Sequence, residues 1–172
     1  ERDDYISLLK AKEESTQYLV KFFNKLNLSK CRIADDEGTD LEFSFLQGSL
    51  FHSSFIETIS KRVFCPTITS SDIYRLLDPT TLTGWLNISK PIVLWGKVIR
   101  NLSVRFNGGK IVEYTSSPQG EALMDLYLKQ DPLSGRASML TLSEISSPLF
   151  DEDITLIPEY DRMRTISITI GG

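Results

Sequence analysis

A chain of 172 residues with 41% apolar side chains, nine phenylalanines and two tryptophans has the length and the apolar content of one domain with a real core. Its formal net charge of −4, with the basic residues spread out, excludes a general nucleic-acid surface, which needs clustered Lys and Arg to displace counterions. Cys31 and Cys65 have neither metal-ligand spacing nor a disulfide framework, so reduced, buried thiols are expected; no run of about 18 apolar residues offers a membrane span, and the acidic start Glu1-Arg2-Asp3-Asp4-Tyr5 is unlike a signal peptide. A cytoplasmic location without a membrane partner is the expectation.

Residues 3–26 predict one long helix. Tyr5, Leu8 and Leu9 form one apolar cluster and Leu19, Val20, Phe23 and Leu26 another, while Lys12 and Thr16 interrupt the stripe between them. The second half should pack on the core, leaving the first half free or against a partner. Residues 30–34 and 39–45 predict two strands around the turn Asp35-Asp36-Glu37-Gly38, with Leu41, Phe43 and Phe45 facing one way. Within 51–64, Phe55, Ile56 and Ile59 suggest a short helix closed by Pro66. Residues 70–77 fit either a helix or a strand. Asp78-Pro79 then turns the chain into a strand over 82–88, where Trp85 is available to the core or to a pocket wall.

The centre of the pattern is the run 90–127. Val98, Leu102, Val104 and Phe106 alternate as one side of a half-buried strand, and Asn107-Gly108-Gly109 folds it back into 110–115. Ser117 reads as a helix N-cap and Pro118 as the first helical residue, with Leu123, Leu126 and Tyr127 on one face. Lys97, Arg100, Arg105 and Lys110 read as a solvated strand face. After a loop at Asp131-Pro132 and Ser134-Gly135, residues 137–145 are an ambiguous apolar segment. Ser147-Pro148 and Asp151-Glu152-Asp153 mark turns, and 165–170 is strand-like. The class is α+β, a mixed or antiparallel sheet with a central β-hairpin followed by a helix, plus a long N-terminal helix. Residues 1–28 form the helical part and 29–172 the α+β domain. The start at Glu1 and the strand-like end before Gly171-Gly172 suggest a piece of a longer chain.

Side-chain chemistry is sparse. The single histidine, His52, lies between Phe51 and Ser53 without a Ser or Cys motif and reads as a satisfied, partly buried residue. No nucleophile elbow, zinc helix or phosphate loop occurs, and Asp151-Glu152-Asp153 reads as a solvated turn, since adjacent carboxylates do not converge on one cation.

Several segments in order carry a resemblance: Gly38–Phe45 (GTDLEFSF), Asp72-Ile73-Tyr74, the stretch from Gly84 through the hairpin to Gly120-Glu121-Ala122-Leu123, and Pro148–Glu152 (PLFDE). Together they resemble the second half of the aminopeptidase T family of metallopeptidases, over about residues 30–172. That resemblance implies removal of N-terminal residues from peptides by two divalent metals held by two Glu, two His, a Tyr and an Asp, and it implies dimers. Carried over by position, the first Glu falls on Asp72, the second near Thr141 with Leu140 in place of a Gly, and the first His near Ser167; the remaining ligands would lie beyond Gly172. Glu144 is a nearby carboxylate. Asp72 and Glu144 are therefore the candidate metal ligands, zinc, cobalt or manganese the cofactor if the chain is active, and no catalytic residue is assigned. Two-metal chemistry needs several anionic or imidazole ligands, and Thr141 and Ser167 supply neither. The favoured expectation is an aminopeptidase T-like domain that has lost its metal site, holds no cofactor and serves as a binding or structural module. The alternatives are part of an active metal-dependent aminopeptidase, or a structural domain with no peptide site. A homodimer or a lost N-terminal domain is the expected partner, with a peptide as possible ligand.

Overall fold

The computed structural model describes residues 2–66, 72–88, 90–143 and 166–171, with the backbone alone for 2–6, 8 and 9. Helix α1, Arg2–Lys25, sets Leu19, Val20 and Phe23 against the core. Thr16, the polar break in its stripe, is 1% exposed because its hydroxyl donates to the Lys12 carbonyl at 2.8 Å, which satisfies it inside the helix. The Asn24 side chain both donates to the carbonyl and accepts from the amide of Phe51, tying the end of α1 to the sheet below. Leu26, expected on this stripe, is exposed: the helix has ended, and Asn27 turns the backbone to φ 48°.

Strands β1 (Lys30–Ala34) and β2 (Asp40–Ser44) pair as expected around Gly38, whose φ of 97° suits glycine, and Leu41, Phe43 and Phe45 are buried. The next segment departs from expectation. In place of a short helix it makes β3 (His52–Ser53), then a small hairpin of β4 (Ile56–Glu57) and β5 (Val63–Phe64). Ile56 and Ile59 are exposed, so no apolar helix face existed to bury; the Thr58 carbonyl accepts from Lys61, itself at φ 63°, and closes a tight turn. The ambiguous 70–77 region resolves into β6 (Ile73–Leu76).

β7 (Thr83–Ile88) follows, then a separate hairpin of β8 (Ile92–Leu94) and β9 (Lys97–Ile99), and the central hairpin of β10 (Leu102–Asn107) and β11 (Lys110–Thr115). Val98 does not share the buried side of β10. The strand breaks at Asn101, φ 54°, which flips the alternation, so Val98 is exposed opposite Val93 while Ile99 is buried. Helix α2 (Pro118–Gln130) starts where expected, the Ser117 hydroxyl accepting from the Gly120 amide at 3.2 Å. Its buried face is Gly120, Leu123 and Met124; Leu126 points away and is exposed. β12 (Ala137–Leu142) and β13 (Ile166–Ile170) complete the chain, whereas the turns expected around Ser147 and Asp151 lie outside the described residues.

The strands form a five-stranded antiparallel sheet, β1-β2-β7-β10-β11, a four-stranded antiparallel sheet, β13-β12-β6-β3, and the two small hairpins. This is an α+β fold with a long N-terminal helix. β2 and β7 approach so closely that a Cβ on Gly84, at φ 120°, would lie 1.9 Å from the Asp40 carbonyl oxygen. Trp85 is not a core residue: it stands opposite Asp40 and Arg105 on the outer face of the large sheet, the Arg105 guanidinium 5.9 Å from its ring. Neither cysteine is in a disulfide, both are only half-buried, and burial pushes the Cys31 thiol up.

Candidate functional site

The four-stranded sheet gathers the positions singled out in the sequence. Ser167 is opposite Thr141, Thr141 opposite Tyr74, and Tyr74 opposite His52, so one register row crosses all four strands. Paired residues of antiparallel strands project to the same face, so these four side chains share one side over a span of about 14 Å. Ile73, Arg75, Leu140 and Leu142 take the other side, toward the core. The same register carried one step further sets Asp72 opposite Ser143, on the face of Tyr74 and Thr141.

Two members of this polar face are buried, Asp72 at 2% and Thr141 at 3% exposure. The Thr141 hydroxyl has no hydrogen-bond partner among the described residues. An unsatisfied buried hydroxyl costs about 1–3 kcal/mol, so this position is not explained by packing alone. The Asp72 carbonyl accepts from the Ser54 amide at 3.3 Å, which continues the pairing of β6 with β3 past their last residues. His52, expected to be partly buried, is exposed at the sheet edge with its ring 6.1 Å from that of Tyr74; a two-residue edge strand has no outer neighbour to cover it. Glu144 lies outside the described residues, so its place relative to Asp72 is not part of this geometry.

Behind the row, Arg75 is 8% exposed and supports the strand that carries Asp72 and Tyr74. Its guanidinium lies 4.2 Å from the Phe45 ring centroid, donates from Nη1 to the Leu28 carbonyl and from Nε to the Ser49 hydroxyl, and burial lowers its pKa.

These residues do not fit a pair of divalent metals. The row with Asp72 supplies one carboxylate, one edge imidazole, a phenol and two aliphatic hydroxyls, where a two-metal centre needs several carboxylates or imidazoles to hold ions about 3.5–4 Å apart. No group of three or more His, Cys, Asp or Glu that could hold a metal occurs among the described residues. Sequence reading reached Asp72, Thr141 and Ser167 but missed Tyr74 and His52 as their neighbours, since no local pattern announces a pairing between distant strands.

The model of the thermophilic metalloproteases of the peptidase M29 family matches residues 1–171. The chain belongs to the peptidase M29 family. Aminopeptidase T of Thermus aquaticus is 22% identical over 149 residues, covering 87% of this chain and 36% of that protein. Aminopeptidase PepS of Streptococcus thermophilus is 25% identical over 136 residues, covering 78% and 33%. This M29 chain thus spans about a third of the length of the curated relatives it matches. In structure it is similar to wild-type AmpT from Thermus thermophilus, with a TM-score of 0.88 at 20% identity over 96% of this chain and 42% of that one. A looser likeness, TM-score 0.56 at 15% identity over 76% of this chain and 39% of the other, links it to 2,5-dihydroxypyridine dioxygenase from Pseudomonas putida. At these identities the structural matches speak to the fold. No helix among the described residues is long and apolar enough to cross a membrane.

Proposed function

We propose that this M29 chain keeps the family scaffold without the metal centre and works as a binding or structural module. The observation that supports it is the row itself. Thr141 and Ser167, near which a Glu and a His of the aminopeptidase T pattern fall, stand directly opposite each other on the face that also bears Asp72. The fold brings these positions together as a site would, and they carry hydroxyls, which do not displace water from zinc, cobalt or manganese as carboxylates and imidazoles do. Elemental analysis of the purified protein after exposure to zinc, cobalt and manganese tests the reading: less than a tenth of an equivalent is expected, and stoichiometric metal would overturn it.

The second reading is a segment of an active aminopeptidase that releases N-terminal residues from peptides, with Asp72 and Glu144 as ligands and others contributed by a longer chain. It draws on the coverage of about a third of the relatives' length. Metal-dependent release of leucine from a leucyl reporter by the full reading frame, abolished by Asp72→Ala, would favour it. We also propose that the first turns of α1 meet either a second copy of this chain or another domain of a longer chain. Light scattering on the parent and on the double change Leu8→Asp, Leu9→Asp checks this: a dimer that dissociates supports the first, and a monomeric parent with a thermal midpoint unmoved by the change overturns both.

A further inference from the structure

Beside the row, and independent of whether any metal is held, a cleft of about 310 Å³ opens between α1, β3 and β4. Its polar lining is rich in acceptors. Gln17 spends its amide nitrogen on the Ser53 hydroxyl at 3.3 Å, which leaves its carbonyl oxygen as an acceptor. Ser53 is already engaged with both backbone groups of Phe55. Glu57 brings a carboxylate to the wall, and among the described residues neither Lys nor Arg lines the cleft. Among the described residues the Glu57 carboxylate pairs with Lys61 at 2.8 Å, the two side chains being 50% and 85% exposed. Such an exposed i, i+4 pair is weak and exchanges readily with an incoming cation.

The remaining wall is apolar and aromatic. Val20, Phe55 and Ile56 offer a surface for a hydrocarbon stem, and the neighbouring rings of His52 and Tyr74 close one side. An acceptor-lined cleft with one carboxylate, an aromatic side and an apolar floor matches a long side chain that ends in a cation, since the stem is buried while the head meets the carboxylate and the ring faces. We propose that this cleft receives a basic side chain, arginine or lysine, of a polypeptide ligand.

The 15N-labelled 172-residue protein titrated with N-acetyl-arginine methylamide tests this, alongside the neutral isostere N-acetyl-citrulline methylamide, the lysine analogue, and free arginine. Saturable shifts are expected at the amides of residues 52–57 and 74 with the arginine and lysine probes. Citrulline should bind about two- to fivefold more weakly, the size of one charge pair in a half-open site, and Glu57→Gln should weaken arginine binding to the same degree. Glu57 is a surface residue, so the variant keeps its fold, checked by an unchanged spectrum away from the cleft. A peptide-borne side chain is supported if the capped probe binds at least as well as free arginine; preference for the free amino acid would overturn that part. Equal binding of citrulline and arginine, no localised shifts at 20-fold excess, or an unaffected Glu57→Gln variant would overturn the proposal. None of these outcomes depends on metal content, so the proposal and the metal-free reading can fail separately.

Discussion

Thr141 and Ser167 are direct partners across β12 and β13, and Thr141 is also the partner of Tyr74 on its other side. Two hydroxyls and a phenol therefore occupy adjacent places on one sheet face, next to a buried carboxylate at Asp72. The geometry of a shared site and the chemistry of its residues can be separated experimentally.

Restoring ligands should restore metal binding. The combined change Asp72→Glu, Thr141→Glu, Ser167→His places two carboxylates and an imidazole on neighbouring strands, where facing Cβ atoms are about 5 Å apart. The triple variant is expected to take up one zinc ion in competition with a chromogenic chelator, at least tenfold more tightly than the parent. Without metal it should be less stable by about 2 kcal/mol, because a Glu replaces a buried Thr. A parent that binds zinc equally well would contradict this.

Gly84→Ala should be among the most damaging small changes. The added Cβ meets the Asp40 carbonyl oxygen at 1.9 Å, and φ 120° is strained for any L side chain, so a loss of about 3 kcal/mol is expected in urea unfolding. Gly48→Ala is the control: its φ is 78°, with nothing within 4 Å of the new Cβ, and it should lose only about 1 kcal/mol. The difference isolates the contact between β2 and β7.

Tyr114 on β11 donates its hydroxyl to the Asp125 carboxylate on α2, and this bond, aided by burial, pushes the phenol up to about 12 from 10.0. A raised native pKa means the unfolded chain ionises first. The bond's stabilisation is therefore complete below pH 10 and lost as pH rises from 10 to 12. Tyr114→Phe should flatten that alkaline decline in stability, followed by chemical denaturation at several pH values; an unchanged slope would show that the bond does not form.

The N-cap offers a milder test. Ser117→Ala removes the acceptor for the Gly120 amide and should cost about 1 kcal/mol, while Ser117→Asp, which caps and also complements the helix dipole, should restore most of it.

The features legible in the sequence are those set by neighbours along the chain. Ser117-Pro118 marks the start of α2 because a cap and a fixed φ act within one turn. Gly38 and Asn107-Gly108-Gly109 mark their hairpins because only particular backbone angles close them, and the alternation of Leu41, Phe43 and Phe45 names its buried side because side chains on a strand have period two. The positions of Asp72, Thr141 and Ser167 were legible only through family resemblance. What tertiary structure decided is everything that depends on pairing between distant segments. Asn101 breaks the strand and turns Val98 outward, the residues after Phe55 form a hairpin where apolar spacing suggested a helix, and His52, Tyr74, Thr141 and Ser167 meet in one row. Register between strands is chosen by which face of the whole sheet buries its side chains, a quantity that no local window of sequence contains.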